Sequence, residues 1–178
     1  MDLERKFCGL ERVETDGCEI AGHASVFGIA DQGGDVVEPG AYAASLELLK
    51  ARGGRVKMLW QHDPAQPIGV WDEVREDATG LWVRGRILTD VEKGRDAAAL
   101  VAAGAIDGLS IGYRTRKATK NDRGQRLLCE LELWEVSLVT FPMLPEARVD
   151  AKGDVPCPDP LHELAAAIRS ARLSLAGG

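Results

Sequence analysis

Hydrophobic and polar positions alternate with a period of two along most of this chain, and three times the alternation gives way to helical spacing. A first strand is expected over 18–27, between Gly17 and Gly28, although Ile20, Gly22 and His23 leave its alternation untidy. His23 reads there as a packed or edge histidine. Asp31-Gln-Gly-Gly34 is a turn by composition, since glycine supplies positive φ and aspartate tolerates a tight bend. Over 41–52, Ala43, Leu46 and Leu49 recur at helical spacing before Gly53-Gly54, which predicts a helix covering one side of a sheet.

Strand character returns over 55–62, where Val56, Met58 and Trp60 alternate with Arg55, Lys57 and Leu59. Two clean strands are expected over 68–74 and 81–88. Ile68, Val70 and Val74 share a face of the first; Leu81, Val83, Gly85 and Ile87 share a face of the second. Asp77-Ala-Thr-Gly80 between them makes a hairpin, and Trp71 and Trp82 read as packing residues. A second helix is expected over 91–103, with Asp90 as its N-cap and Gly104 just past its end. Ile111, Tyr113 and Thr115 then alternate as a strand, and Asn121-Asp-Arg-Gly124 turns the chain. The longest strand-like run is 126–140, with Leu127, Cys129, Leu131, Leu133, Glu135, Ser137 and Val139 counted onto one face. After Pro142 the composition shifts. Residues 151–160 form a Pro-rich linker, and 161–178 carry an amphipathic helix, leaving 1–150 as the main domain.

Composition narrows the function. At 178 residues, with 45% hydrophobic and 28% charged, the chain reads as a soluble globular protein without a membrane span. Its N-terminus lacks an apolar leader segment, so the expected compartment is the cytoplasm. A net charge of −6 argues against a nucleic-acid binder that neutralises phosphates, and the basic stretch Arg114 to Lys120 reads as a solvated hairpin end. Cys8, Cys18, Cys129 and Cys157 show no zinc-ligand spacing and read as free thiols. No metal or organic cofactor is expected.

The candidate chemistry centres on Gly108-Leu-Ser-Ile-Gly-Tyr113, which matches the G-x-S-x-G elbow of esterases as a string. That elbow needs strand, turn, helix; the predicted order here is helix, turn, strand. An esterase triad also places its histidine after the serine, yet the only histidine after Ser110 is His162, beyond the linker. The α/β-hydrolase reading fails, and a small esterase remains only a weak reading, open to a generic ester substrate. What survives is His62 at an upstream strand end and Glu135 within a strand. A serine needs a base to remove its proton, and that base works best when a third group orients it. Gly108 and Gly112 would let backbone N–H groups approach a developing oxyanion. On the residues alone the nucleophile reading of Ser110 is weak, since a serine between glycines is as simply a turn, and Glu135 reads equally as an edge ion pair and as a site carboxylate.

A series of motifs adds to this. Gly22-His-Ala-Ser-Val-Phe-Gly28, Asp35-Val-Val-Glu-Pro-Gly-Ala41, Met58-Leu-Trp-Gln-His-Asp63, Pro67-Ile-Gly69, Gly80-Leu-Trp-Val83, Gly104-Ala-Ile-Asp-Gly-Leu-Ser-Ile-Gly-Tyr113 and Glu132-Leu-Trp-Glu-Val-Ser-Leu-Val139 resemble, in order, the prohead maturation proteases of tailed bacteriophages and prophages. The resemblance covers roughly 18–150. It implies a mainly β fold with flanking helices, a closed antiparallel β-barrel of the herpesvirus-protease type. It further implies a serine endopeptidase that cleaves scaffold or the N-terminal extension of the major capsid protein, and itself, inside the immature procapsid. Carried over by position, Ser110 is the nucleophile, His62 the base and Glu135 the third member, with Asp63 in reserve. The related viral proteases imply a homodimer, with no nucleic-acid or membrane partner. A capsid-assembly protein that keeps the fold without activity is the alternative.

Overall fold

The structure, a computed structural model, describes residues 4–9, 19–31 and 33–141. The expected linker and C-terminal helix, and the domain boundary at 150, lie outside the described residues. In chain order the elements are β1 (Glu4–Gly9), β2 (Glu19–Val26), β3 (Asp35–Val37), α1 (Ala43–Ala51), β4 (Lys57–Trp60), β5 (Asp63–Glu76), β6 (Gly80–Ile87), α2 (Glu92–Ala102), β7 (Gly108–Lys120) and β8 (Arg126–Val139). Both helices and the main strands fall where the periodicity puts them. Asp90 does not cap α2. The Val91 N–H bonds back to the Leu88 carbonyl (3.1 Å), so the chain turns one residue later and Val91 takes the N-cap position with no side-chain cap. The first turn of α2 then lies against the sheet, and a Cβ on Gly94 would come within 2.1 Å of the Leu88 carbonyl oxygen.

The strands form one sheet in the order β1-β7-β8-β4-β5-β6-β2, with β3 also paired to β8. This corrects the expectation of a closed antiparallel barrel on two counts. β1 and β2, the ends of the order, lie near each other without a ladder among the described residues, so the sheet is a curled, open half-barrel. It is also mixed, because β3 and β4 both run parallel to β8, β3 along Arg126–Leu128 and β4 along residues 135–138. Closure and strand direction are properties of pairing. The alternation within any one strand carries neither.

Register decides what each face presents. Leu109 and Ile111 of β7 pair with Leu138 and Val136 of β8, and all four are buried in the core with Met58, Trp71, Leu81 and Val83. Each such large apolar side chain stabilises the fold by roughly 1.5–3 kcal/mol. With a side-chain period of two, the intervening pairs Ser110–Ser137 and Gly112–Glu135 fall on the opposite face. A bulge sets this phase. Tyr113 pairs with Leu133 and Gly112 with Glu135, so Trp134 is the extra residue. Leu133 and Glu135, expected on one face by counting, therefore lie on opposite faces, with Leu133 in the core. A second bulge at Asp72 revises β5 similarly: Trp71 and Val74 join the face of Gly85 and Val83, while Val70 pairs with Arg86.

The β5–β6 hairpin forms as expected at Asp77 to Gly80, and it also pins β2. The Asp77 carboxylate accepts N–H bonds from Thr79 (2.9 Å) and Gly80 (3.0 Å) and from Nε2 of buried His23 (2.9 Å), whose ring meets Trp82 edge-on. Burial alone would raise the Asp77 carboxyl; the Gly80 N–H, His23 and the Thr79 N–H overcome it and bring it down to about 2. A carboxyl depressed by folding contributes stability above its unfolded value, and that contribution is lost as pH falls towards its folded value. Acid titration from about pH 5 to pH 2 is therefore expected to remove on the order of 1–2 kcal/mol through Asp77. Denaturant unfolding across that window should show a shallower decline in Asp77→Asn than in the wild type.

Candidate active site

Three adjacent strands meet at the polar face of β7 and β8. Trp60 at the end of β4 and Asp63 at the start of β5 pair across a two-residue turn, Gln61-His62, whose φ values are +51° and +62°. Positive φ at both central positions is the signature of a type I′ hairpin, whose twist matches its flanking strands. Neither residue is a glycine, so each costs about 1–3 kcal/mol. Local bonds over-determine the strained turn. The Gln61 N–H donates to the Leu138 carbonyl (2.9 Å), the Gln61 side-chain amide to Thr140 Oγ1 (2.6 Å), and the His62 N–H to Ser137 Oγ (3.2 Å). The parallel β4–β8 ladder brings the turn alongside the end of β8, and the turn then aims the imidazole back across β8 towards β7.

The imidazole spans the two strands. His62 Nδ1 donates to Glu135 Oε1 at 2.5 Å, and Ser110 Oγ donates to His62 Nε2 at 2.6 Å. Since a carboxylate can only accept, Nδ1 carries the proton and Nε2 is left as the acceptor. The other carboxylate oxygen, Glu135 Oε2, accepts the Ser137 hydroxyl at 2.5 Å. His62, Ser110, Glu135 and Ser137 are all buried, Ser110 and Ser137 completely. This geometry can draw the proton from a serine hydroxyl while holding the resulting imidazolium against a carboxylate.

The structure thus brings His62, Ser110 and Glu135 together and directs Asp63 elsewhere. Asp63 accepts from the Ala65 N–H (2.9 Å) and the Gln66 side-chain amide (2.6 Å), and these bonds, the Ala65 N–H foremost, hold its carboxyl below the usual range. Ser110 is the third residue of a 13-residue strand with ladders to β8 and β1 on either side. Gly108 and Gly112 lie in the same ladders. For Gly112 the structure gives a different reason: a Cβ there would fall 2.0 Å from Glu135 Oε1, so the carboxylate occupies the space a side chain would take. Ser137 was legible only as a small polar residue two positions after Glu135, and its bonds to Glu135 and His62 need the fold to appear. The far half of β7 is solvated, as expected: Arg116 pairs with Glu132 and Arg114 lies over Trp134. Among the described residues no group of three or more His, Cys, Asp or Glu side chains could hold a metal ion, and no helix is long and apolar enough to cross a membrane.

A strand-borne serine, a histidine on a strained turn and a buried carboxylate are joined by hydrogen bonds on a mainly β fold, an arrangement in which a base could activate a serine. The Caudovirus prohead serine protease family matches residues 8–155, and the chain belongs to that family. It is similar to the prohead protease of Enterobacteria phage HK97, with 32% identity over 137 residues, which is 75% of this chain and 60% of that protein. The chain thus spans about 60% of the length of this relative. Its fold is similar to that of the bacteriophage T4 capsid assembly protease, gp21, at a TM-score of 0.64 and 16% identity, covering 77% of this chain and 96% of that one.

If the Glu135 carboxylate fills the space over Gly112, Gly112→Ala should destabilise the fold by roughly 1–3 kcal/mol. In a Glu135→Ala background much of that penalty should vanish. A double-mutant cycle by denaturant unfolding is expected to show coupling of about 1 kcal/mol; additive changes would contradict the close approach.

Proposed function

We propose that this chain is a capsid-maturation serine endopeptidase in which Ser110 is the nucleophile, His62 the general base and Glu135 the group that orients and stabilises the imidazole. One observation carries the reading: His62 bridges Ser110 Oγ and Glu135 Oε1 at 2.6 and 2.5 Å. Family membership and the HK97 relative, itself described as a prohead protease, support the biological setting.

The chemistry follows from the geometry. Ser110 Oγ attacks the scissile carbonyl as its proton passes to His62 Nε2, and Glu135 stabilises the imidazolium through Nδ1. The imidazolium returns the proton to the leaving amine, which departs to leave an acyl-enzyme. Water then enters and attacks the acyl carbonyl as the same nitrogen takes its proton, and that proton passes to Ser110 Oγ as the acid is released. The substrates proposed are scaffold or the N-terminal extension of the major capsid protein, together with the protease itself, processed by a homodimer inside the immature shell. A histidine well beyond hydrogen-bond reach of the serine would favour the alternative of a capsid-assembly protein without activity, and the 2.6 Å contact counts against it.

Ser110→Ala, co-expressed with its capsid protein, is expected to leave the fold intact and to lower processing by about 10⁴-fold or more, read as loss of the shortened capsid species by intact-mass measurement. Retained cleavage in that variant would sink the reading. Asp63→Asn should process normally, and Glu135→Gln should be severely impaired.

A further inference from the structure

We propose that Ser137 is a positioning residue of this site, holding the Glu135 carboxylate and the His62 main chain in one frame so that the imidazole is aligned for proton transfer. This rests on the reading of Ser110, His62 and Glu135 given above. Ser137 is fully buried and lies opposite Ser110 in the β7–β8 ladder and beside Leu59 in the β4–β8 ladder. Its hydroxyl has one proton and two lone pairs, and both kinds of capacity are used here. The proton goes to Glu135 Oε2 at 2.5 Å, and a lone pair receives the His62 N–H at 3.2 Å.

These bonds act on different degrees of freedom. The bond to Oε2 fixes the rotation of the carboxylate, which leaves Oε1 aimed at Nδ1. The bond from the His62 N–H holds the residue whose φ is +62°. Without the hydroxyl, one oxygen of a buried carboxylate and one buried N–H at a strained residue would both lose a partner. Among the described residues, Lys57 of β4 is the ladder partner of Glu135 and is exposed; Gly112 of β7 brings no charge; Asp63 of the turn is engaged by Ala65 and Gln66; and the β1 residue in backbone register with Gly112 is Arg5.

A hydrogen bond to the ionised carboxylate favours that form, so its loss raises the proton affinity of the His62–Glu135 pair as a unit. The reactive state is the pair without the extra proton, and the acid limb of the pH profile should therefore move to higher pH. A fluorophosphonate reads this without knowledge of a cleavage site: Ser110 Oγ attacks phosphorus, fluoride leaves, and His62 takes the hydroxyl proton. Second-order labelling rates would be measured by intact mass across pH on the full chain.

Ser137→Ala is expected to slow labelling roughly 10- to 100-fold and to raise the acid limb, and to add less than about twofold in a Glu135→Gln background. Ser137→Cys is only slightly larger and a weaker donor, should change in the same direction, and decides the matter if the alanine variant does not fold. Normal rates with an unmoved acid limb, or a slowing that is additive with Glu135→Gln, would overturn the role of Ser137. The Ser110→Ala control separates the two readings: continued labelling in it would instead overturn Ser110 as the nucleophile.

Discussion

The constraint on which this structure turns is a carboxylate buried within a sheet. Taking Glu135 out of water costs several kcal/mol unless both oxygens are paired, and each requirement reaches into a different strand. Oε1 needs the imidazole of the β4–β5 turn, Oε2 needs Ser137 of β8, and the space for the group comes from a missing side chain on β7. The strained turn, the parallel β4–β8 ladder and the glycine after Ile111 are three answers to one electrostatic demand. The bulge at Trp134 is a fourth, because without it Glu135 would be in phase with Leu133 and point into the core.

That bulge also marks the limit of what the sequence made legible. Both helices, the main strands and the Asp77 and Asn121 turns followed from periodicity and turn chemistry, since these are local. His62, Ser110 and Glu135 could be picked out because each is a chemically able residue in a suggestive setting: at a strand end, between glycines, and among apolar neighbours. The faces were not legible. Counting by twos placed Glu135 with Leu131 and Leu133, and an extra residue in one strand reverses such a count without changing composition. The positive φ values of Gln61 and His62 were equally hidden, because neither residue has the Asn-Gly character by which such hairpins are usually recognised.

Separating the two faces of β7 and β8 has a structural benefit. Ile111 and Val136 pack into the core while their neighbours Ser110 and Ser137 face the imidazole, so one ladder serves both apolar packing and polar alignment. The open, mixed sheet is compatible with this. β8 offers one edge to β7 and divides the other between β3 and β4, and only the β4 portion needs to reach the site.

The position of β8 between β7 and β4 also governs when the site can exist. Histidine and serine lie 48 residues apart in the chain, and the carboxylate comes 73 residues after the histidine. In the sheet, the strand that carries the carboxylate is the spacer between the other two. A growing chain that has emerged as far as β7 already contains the histidine and the serine, yet nothing holds them at bonding distance. Such non-local pairings form late, after the entropy of closing long loops has been spent. The last strand to be synthesised among the described residues is thus the one that brings the three side chains together, and on the proposed reading a partly made chain would lack the assembled site.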